Sequence, residues 1–98
     1  MMNYKEKLTK IQESFKEASR DEVIDAFIAG RNERSASLNS ISGKLVSYNT
    51  VIADWEGNKI RINSKKYSST TSAQTGALKR AAQSQGITIE EVEENVLN

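Results

Sequence analysis

Between Leu45 and Ala82, two apolar segments that alternate with polar residues flank a Glu56-Gly57-Asn58 turn, and a hydroxyl cluster from Ser68 to Ser72 then opens a run of helix formers. Alternation with a period of two marks half-buried strands, and clustered hydroxyls ahead of such a run mark a helix cap. The order strand, turn, strand, helix therefore restricts the fold more than any other stretch.

Within it, Leu45, Val46 and Tyr48 predict a first strand, with Asn49-Thr50 as a tight turn before Val51 to Trp55; a single bent strand is the alternative. Lys59 to Asn63 alternates cleanly, so Ile60 and Ile62 are expected to point inward. Thr71-Ser72-Ala73-Gln74 fits a capping box opening a helix that buries Ala73, Ala77, Leu78, Ala81 and Ala82, and Gly86 ends it. Thr88-Ile89-Glu90-Glu91 fits another, leading into a short last helix with Ile89, Val92 and Val96 on one side.

Upstream, Tyr4, Leu8, Ile11, Phe15 and Ala18 form one helical stripe, which suits packing on the domain's own sheet better than a two-heptad dimer seam. Ser19-Arg20-Asp21-Glu22 reads as a capping box, Val23, Ile24, Phe27 and Ile28 as the apolar face of a second helix, and Gly30 as its stop. Arg31 to Gly43 is rich in Ser and Asn, with only Leu38 and Ile41 as sizeable apolar groups, and predicts a flexible connector. The expected fold is a single α+β domain over 1–98. A helical pair (1–30) and the connector (31–43) precede a three-stranded antiparallel β-meander (44–68), and C-terminal helices follow (71–97).

Ninety-eight residues suffice for one modest core, and 37% apolar residues with 28% charged lie on the polar side of globular. Without Cys or His there is no disulfide, and zinc, haem and iron-sulfur centres lack their usual ligands; no cofactor is expected. No apolar run approaches the roughly 20 residues that span a bilayer, and the start lacks the apolar middle of a signal peptide, so a cytoplasmic protein is expected.

Nucleophilic catalysis without histidine leaves only Lys and carboxylates as bases. Ser64-Lys65 is an adjacent pair at a strand end, whose side chains point apart. Asp21, Glu22 and Asp25 suit the positive end of a helix dipole, and Asp54 and Glu56 read as turn acids. The expectation is a protein that is not an enzyme.

Charge is segregated. The net charge is +1, yet the stretch from Gly57 to Ile89 holds Lys59, Arg61, Lys65, Lys66, Lys79 and Arg80 with no acid, and Glu90, Glu91, Glu93 and Glu94 follow with no base. The cations, with Tyr67 as a stacking group, form a candidate nucleic-acid surface, which the acidic tail can screen; a solvated or protein-facing surface is the competing reading. Tyr48 and Trp55 are candidate aromatic anchors, and Thr70, Thr71 and Ser72 a candidate anion-binding helix start, against which stands plain capping.

The segments "SYNTVIA" (Ser47 to Ala53), Ile62-Asn63 and "KYSSTTS" (Lys66 to Ser72) resemble an uncharacterised family of small proteins encoded by bacteriophages and other mobile elements, over roughly residues 43–80. The resemblance implies no established activity. It does imply a phage or mobile-element origin, hence a noncatalytic accessory protein that binds a host or phage protein in the bacterial cytoplasm. A counter-defence inhibitor resembling those that block CRISPR nucleases is its most specific form. The alternative is a nucleic-acid-binding regulator of phage genes; homo-oligomers are compatible with either.

Overall fold

The computed structural model describes residues 18–65 and 68–98, and the predicted helix carrying Tyr4, Leu8, Ile11 and Phe15 lies outside them. Helix α1 (Arg20–Ile28) is followed by β1 (Glu33–Arg34), β2 (Leu38–Ile41), β3 (Lys44–Ser47), β4 (Thr50–Glu56) and β5 (Lys59–Asn63); then come α2 (Ser69–Ser84), β6 (Thr88–Val92) and α3 (Glu94–Leu97).

Helix α1 starts as its residues dictate. The Ser19 hydroxyl accepts from the Glu22 N–H, and the Glu22 carboxylate accepts from the Ser19 N–H. It ends with Gly30 at φ +74, where the Gly30 N–H reaches the Phe27 carbonyl and the Arg31 N–H the Ala26 carbonyl, so two carbonyls at the helix end find donors. Helix α2 closes in the same way: Gly86 N–H bonds Gln83 and Ile87 N–H bonds Ala82.

The three-stranded meander is corrected by a six-stranded mixed sheet in the order β1-β2-β3-β4-β5-β6, antiparallel except for the parallel pair β5 and β6. Two local readings account for the difference. Residues 31–43, expected as a flexible connector, contain β1 and β2. Small polar side chains there serve the backbone: the Ser35 hydroxyl donates to the Leu38 carbonyl (2.6 Å), the Ser40 hydroxyl to the Arg31 carbonyl (2.7 Å), and Asn32 accepts from the Ser42 N–H. Leu38 and Ser40 are buried on the same side, as strand alternation requires.

Residues Thr88 to Val92, expected as a helix cap, form β6. Thr, Ile and Val are strand formers, and the crossover through α2 brings this segment beside β5, whose outer backbone groups would otherwise lack partners. The last helix is reduced to four residues, with Leu97 buried and Val96 exposed, so Ile89, Val92 and Val96 share no helical face.

Strands β2 to β5 are joined by two-residue turns, with Ile41 opposite Lys44, Ser47 opposite Thr50 and Glu56 opposite Lys59. The second turn is Tyr48-Asn49, one residue earlier than predicted. Between Leu45 and Val46 the register of β3 and β4 slips by one residue, so that Ile52 and Ala53 are both buried.

Both longer helices pack on one face of the sheet. Val23, Ile24 and Phe27 of α1 and Ala77, Leu78 and Ala82 of α2 meet Leu38, Leu45, Ile52, Ala53, Ile60 and Ile62 from the strands. Ile60 and Ile62 point inward as expected, whereas Ala73 is exposed and Gln74 takes a buried place in the helix. Among the described residues no helix is long and apolar enough to cross a membrane.

Candidate interaction surface

Strand alternation places Lys59 and Arg61 on the face opposite Ile60 and Ile62, away from the helices. Across that face, cross-strand pairing lines up Lys44, Asp54, Arg61 and Glu90, charges of alternating sign. Arg61 grips Asp54 with two bonds, Nε to Oδ1 at 2.8 Å and Nη2 to Oδ2 at 2.6 Å, and Glu56 lies 3.6 Å away. The hydrogen bond donated to Asp54 holds the guanidinium pKa above its ordinary value, against the opposing effect of desolvation, and the charges of Asp54, Glu56 and Glu90 add to the rise. Arg61 is thereby committed to its own sheet, and Asp54 and Glu56 serve as its partners.

The other cations of the middle segment are engaged too. Lys59 pairs with Glu90, Lys65 with Glu94 (3.0 Å) and Lys79 with Glu91. Because Glu91 lies opposite the inward-facing Ile62, its bond to Lys79 is on the helix side of the sheet, whereas the Lys59 pair is on the open side. The structure thus sets Lys59 and Arg61 together on the outer face of the hairpin and Lys79 on the helix side. It divides them between two faces and neutralises Lys59, Lys65 and Lys79 with carboxylates of the C-terminal segment. Arg80 is exposed on α2; Lys66 and Tyr67 lie outside the described residues.

The two predicted aromatic anchors part ways. Trp55 belongs to the core's rim: its ring centroid is 6.2 Å from that of Phe27 and its Nε1–H donates to the Phe27 carbonyl at 2.8 Å. Tyr48 is 63% exposed, and at φ +55 it occupies the left-handed region that a side chain of this size rarely adopts. Its N–H is bound to the Ser37 carbonyl (2.9 Å), which continues the β2 and β3 ladder and holds the residue there. Replacement by Asn, which tolerates this conformation, is expected to raise stability by about 0.5–1 kcal/mol. Chemical denaturation of Tyr48→Asn checks it, and a lowered stability would refute the strain.

Tyr48 has company at its end of the sheet. Asn98 binds both backbone groups of Val51, three residues on, with Oδ1 accepting from the N–H (2.8 Å) and Nδ2 donating to the carbonyl (2.9 Å). This pairing brings α3, with its exposed Val96, to the β3 and β4 end. Ile41, also exposed, stands at the opposite end of the β2 and β3 hairpin.

The hydroxyl run divides its tasks. Ser68, not Thr71, caps α2, accepting from the Thr71 N–H at 3.2 Å. Thr71 is buried inside the first turn, and Ser72 lies within the helix. Thr70 and Ser69 line an open cleft of about 440 Å³ together with Arg20, Ser37, Ala73 and Gln74. Of the predicted anion-binding residues, only Thr70 lines it. Gln74, read from the sequence as a capping residue, instead accepts from the Ser47 hydroxyl at 2.6 Å and donates to Ser37 at 3.3 Å.

A run of cations without acids, followed by acids without cations, carried the signal that the acidic tail can screen the cations, but not which cation Glu90, Glu91 and Glu94 each meet. Exposed Ile41 and Val96 had none. Ser64 and Lys65 are both exposed, and Lys65 turns to Glu94. Asp21 and Glu22 sit in the first turn of α1, as the dipole argument requires.

Comparison with protein-family models, with curated proteins and with solved structures finds no match to this chain.

Proposed function

We propose that the protein works without bond-making chemistry, as a phage or mobile-element accessory protein that occludes a surface of a host or phage protein in the bacterial cytoplasm. A counter-defence inhibitor, blocking a CRISPR nuclease or another immune effector, is the most specific form of this reading. The origin rests on the resemblance carried by Ser47 to Ala53 and Lys66 to Ser72. One observation favours a protein target over a polynucleotide: Lys59, Arg61, Lys65 and Lys79 are paired within the fold, whereas Tyr48 stands exposed at a strained turn. Paired cations gain little by exchanging one anion for another, while an exposed aromatic is the kind of side chain that anchors protein interfaces.

Affinity capture from bacterial lysate, wild type against Tyr48→Ala, tests the reading. A captured host or phage protein should be lost by at least about tenfold in the variant, in line with the 2 kcal/mol or more typical of an interface anchor. In parallel, binding of labelled DNA and RNA at two salt concentrations should be weak and shallow in its salt dependence. A log-log slope of about −4 or steeper, at an affinity tighter than about 1 μM, would replace this reading with a polynucleotide binder.

A further inference from the structure

Strand β6 lies at the sheet edge, pairs in parallel with β5, and has no buried residue. Glu90 meets Lys59 on the open face and Glu91 meets Lys79 on the helix side, so the strand is gripped from both sides of the sheet. Just beyond it, Glu94 meets Lys65, Leu97 is buried, and Asn98 holds Val51. Residues 88–98 are therefore retained by a backbone ladder and by ion pairs that remain substantially exposed, with half-buried Ile89 against the core and the last two side chains as their other anchors. Exposed ion pairs contribute about 0–1 kcal/mol each and weaken as salt rises. Segments with few buried apolar contacts open locally at lower free energy than the core.

We propose that residues 88–98 form a displaceable strap, an internal stand-in for an acidic, extended segment of a partner protein that pairs with the β5 edge. The β5 backbone would supply the ladder, and Lys59, Lys65 and Lys79 would select carboxylates. Charge complementarity names the occupant: the chain carries six cations and no acid from Gly57 to Ile89, and the strap brings its acids to cations on both faces of the sheet. An acidic strand in the same register restores both the ladder and the ion pairs, whereas a polynucleotide restores only the charge. The inference rests on the reading of protein contact above and adds the chemical class of the partner.

Hydrogen exchange read by mass spectrometry, at about 0.02 M and about 1 M NaCl, is the first arm of the test. In wild type at high salt, and in E90Q/E91Q/E94Q at low salt, β6 amides should exchange at least about tenfold faster, while β2 to β4 keep their protection and so report an intact core. In the second arm, a fluorescent peptide of residues 88–98 is titrated against the full-length triple variant. Saturable binding is expected, weakened at least about tenfold when the peptide's own Glu90, Glu91 and Glu94 are Gln. A strap that stays as protected as the core, a peptide that does not bind the loosened variant, or an oligonucleotide that binds in its place would each overturn the proposal. The first two outcomes leave Tyr48-dependent capture, which tests the broader reading, untouched; the third alone would also favour a polynucleotide binder.

Discussion

Truncating Phe27 to Ala is expected to lower stability by about 3–5 kcal/mol, the range for removing a buried aromatic side chain. The side chain is fully buried where α1 meets the sheet, and its ring lies against Trp55. These neighbours restrict collapse into the space left behind, since Val23 and Ile24 belong to the same helix and Trp55 is tethered by its bond to the Phe27 carbonyl. A domain of this size has about 5–15 kcal/mol in total, so the loss removes a large share of the folded state's margin. Urea denaturation followed by the fluorescence of the one tryptophan measures it, and the midpoint should fall by at least about 1 M. Trp55→Phe, followed by circular dichroism, should cost much less, about 0.5–1.5 kcal/mol, because the Phe27 carbonyl also accepts from the Gly30 N–H. Equal losses in the two variants would mean that the tryptophan bond, rather than the buried ring, holds α1 down.

The second large effect concerns a polar group in the core. Ser47 at the end of β3 and Gln74 in α2 are both nearly inaccessible, and the 2.6 Å bond between them joins residues 27 positions apart. Ser47→Ala should cost about 1–3 kcal/mol, because it leaves the Gln74 carbonyl oxygen buried without that donor. Gln74→Ala should cost a similar amount, stranding the Ser47 hydroxyl. The double variant should lose less than the sum of the two, with a coupling of about 1–2 kcal/mol, because the second substitution removes a group already left unsatisfied. Denaturation of the four proteins closes the cycle, and losses that add to within about 0.3 kcal/mol would show that the two groups do not depend on each other.

Legibility of the sequence followed the range of the forces involved. The Ser19 and Glu22 box, the Gly30 and Gly86 helix ends, the Glu56 to Lys59 hairpin and the inward Ile60 and Ile62 all rest on contacts within a few residues, and each was readable. Where one local pattern served two structures, reading faltered. Thr88-Ile89-Glu90-Glu91 has the spacing of a helix cap and the β-branched content of a strand, and pairing with β5 decided between them. The Ser and Asn content of residues 31–43 signals a loop until a strand is there to use the hydroxyls; Ser40 is buried and bonded to Arg31 nine residues away. Among the five adjacent hydroxyls from Ser68 to Ser72, sequence spacing favoured Thr71 as the cap, but Ser68 takes the position and Thr71 goes into the interior.

The candidate surface was readable as composition and not as arrangement. The segregation of six cations from the acids of the last nine residues is a property of the chain alone, as are the lack of imidazole and thiol groups and the order of apolar segments. Which cation meets which carboxylate, and on which side of the sheet, depends on β6 crossing back beside β5, and so on pairings about thirty residues apart such as Lys59 with Glu90. Local propensities act over a turn or two of chain, whereas strand pairing and charge neutralisation act through space. The former were therefore written in neighbouring residues, and the latter were decided only when the sheet closed.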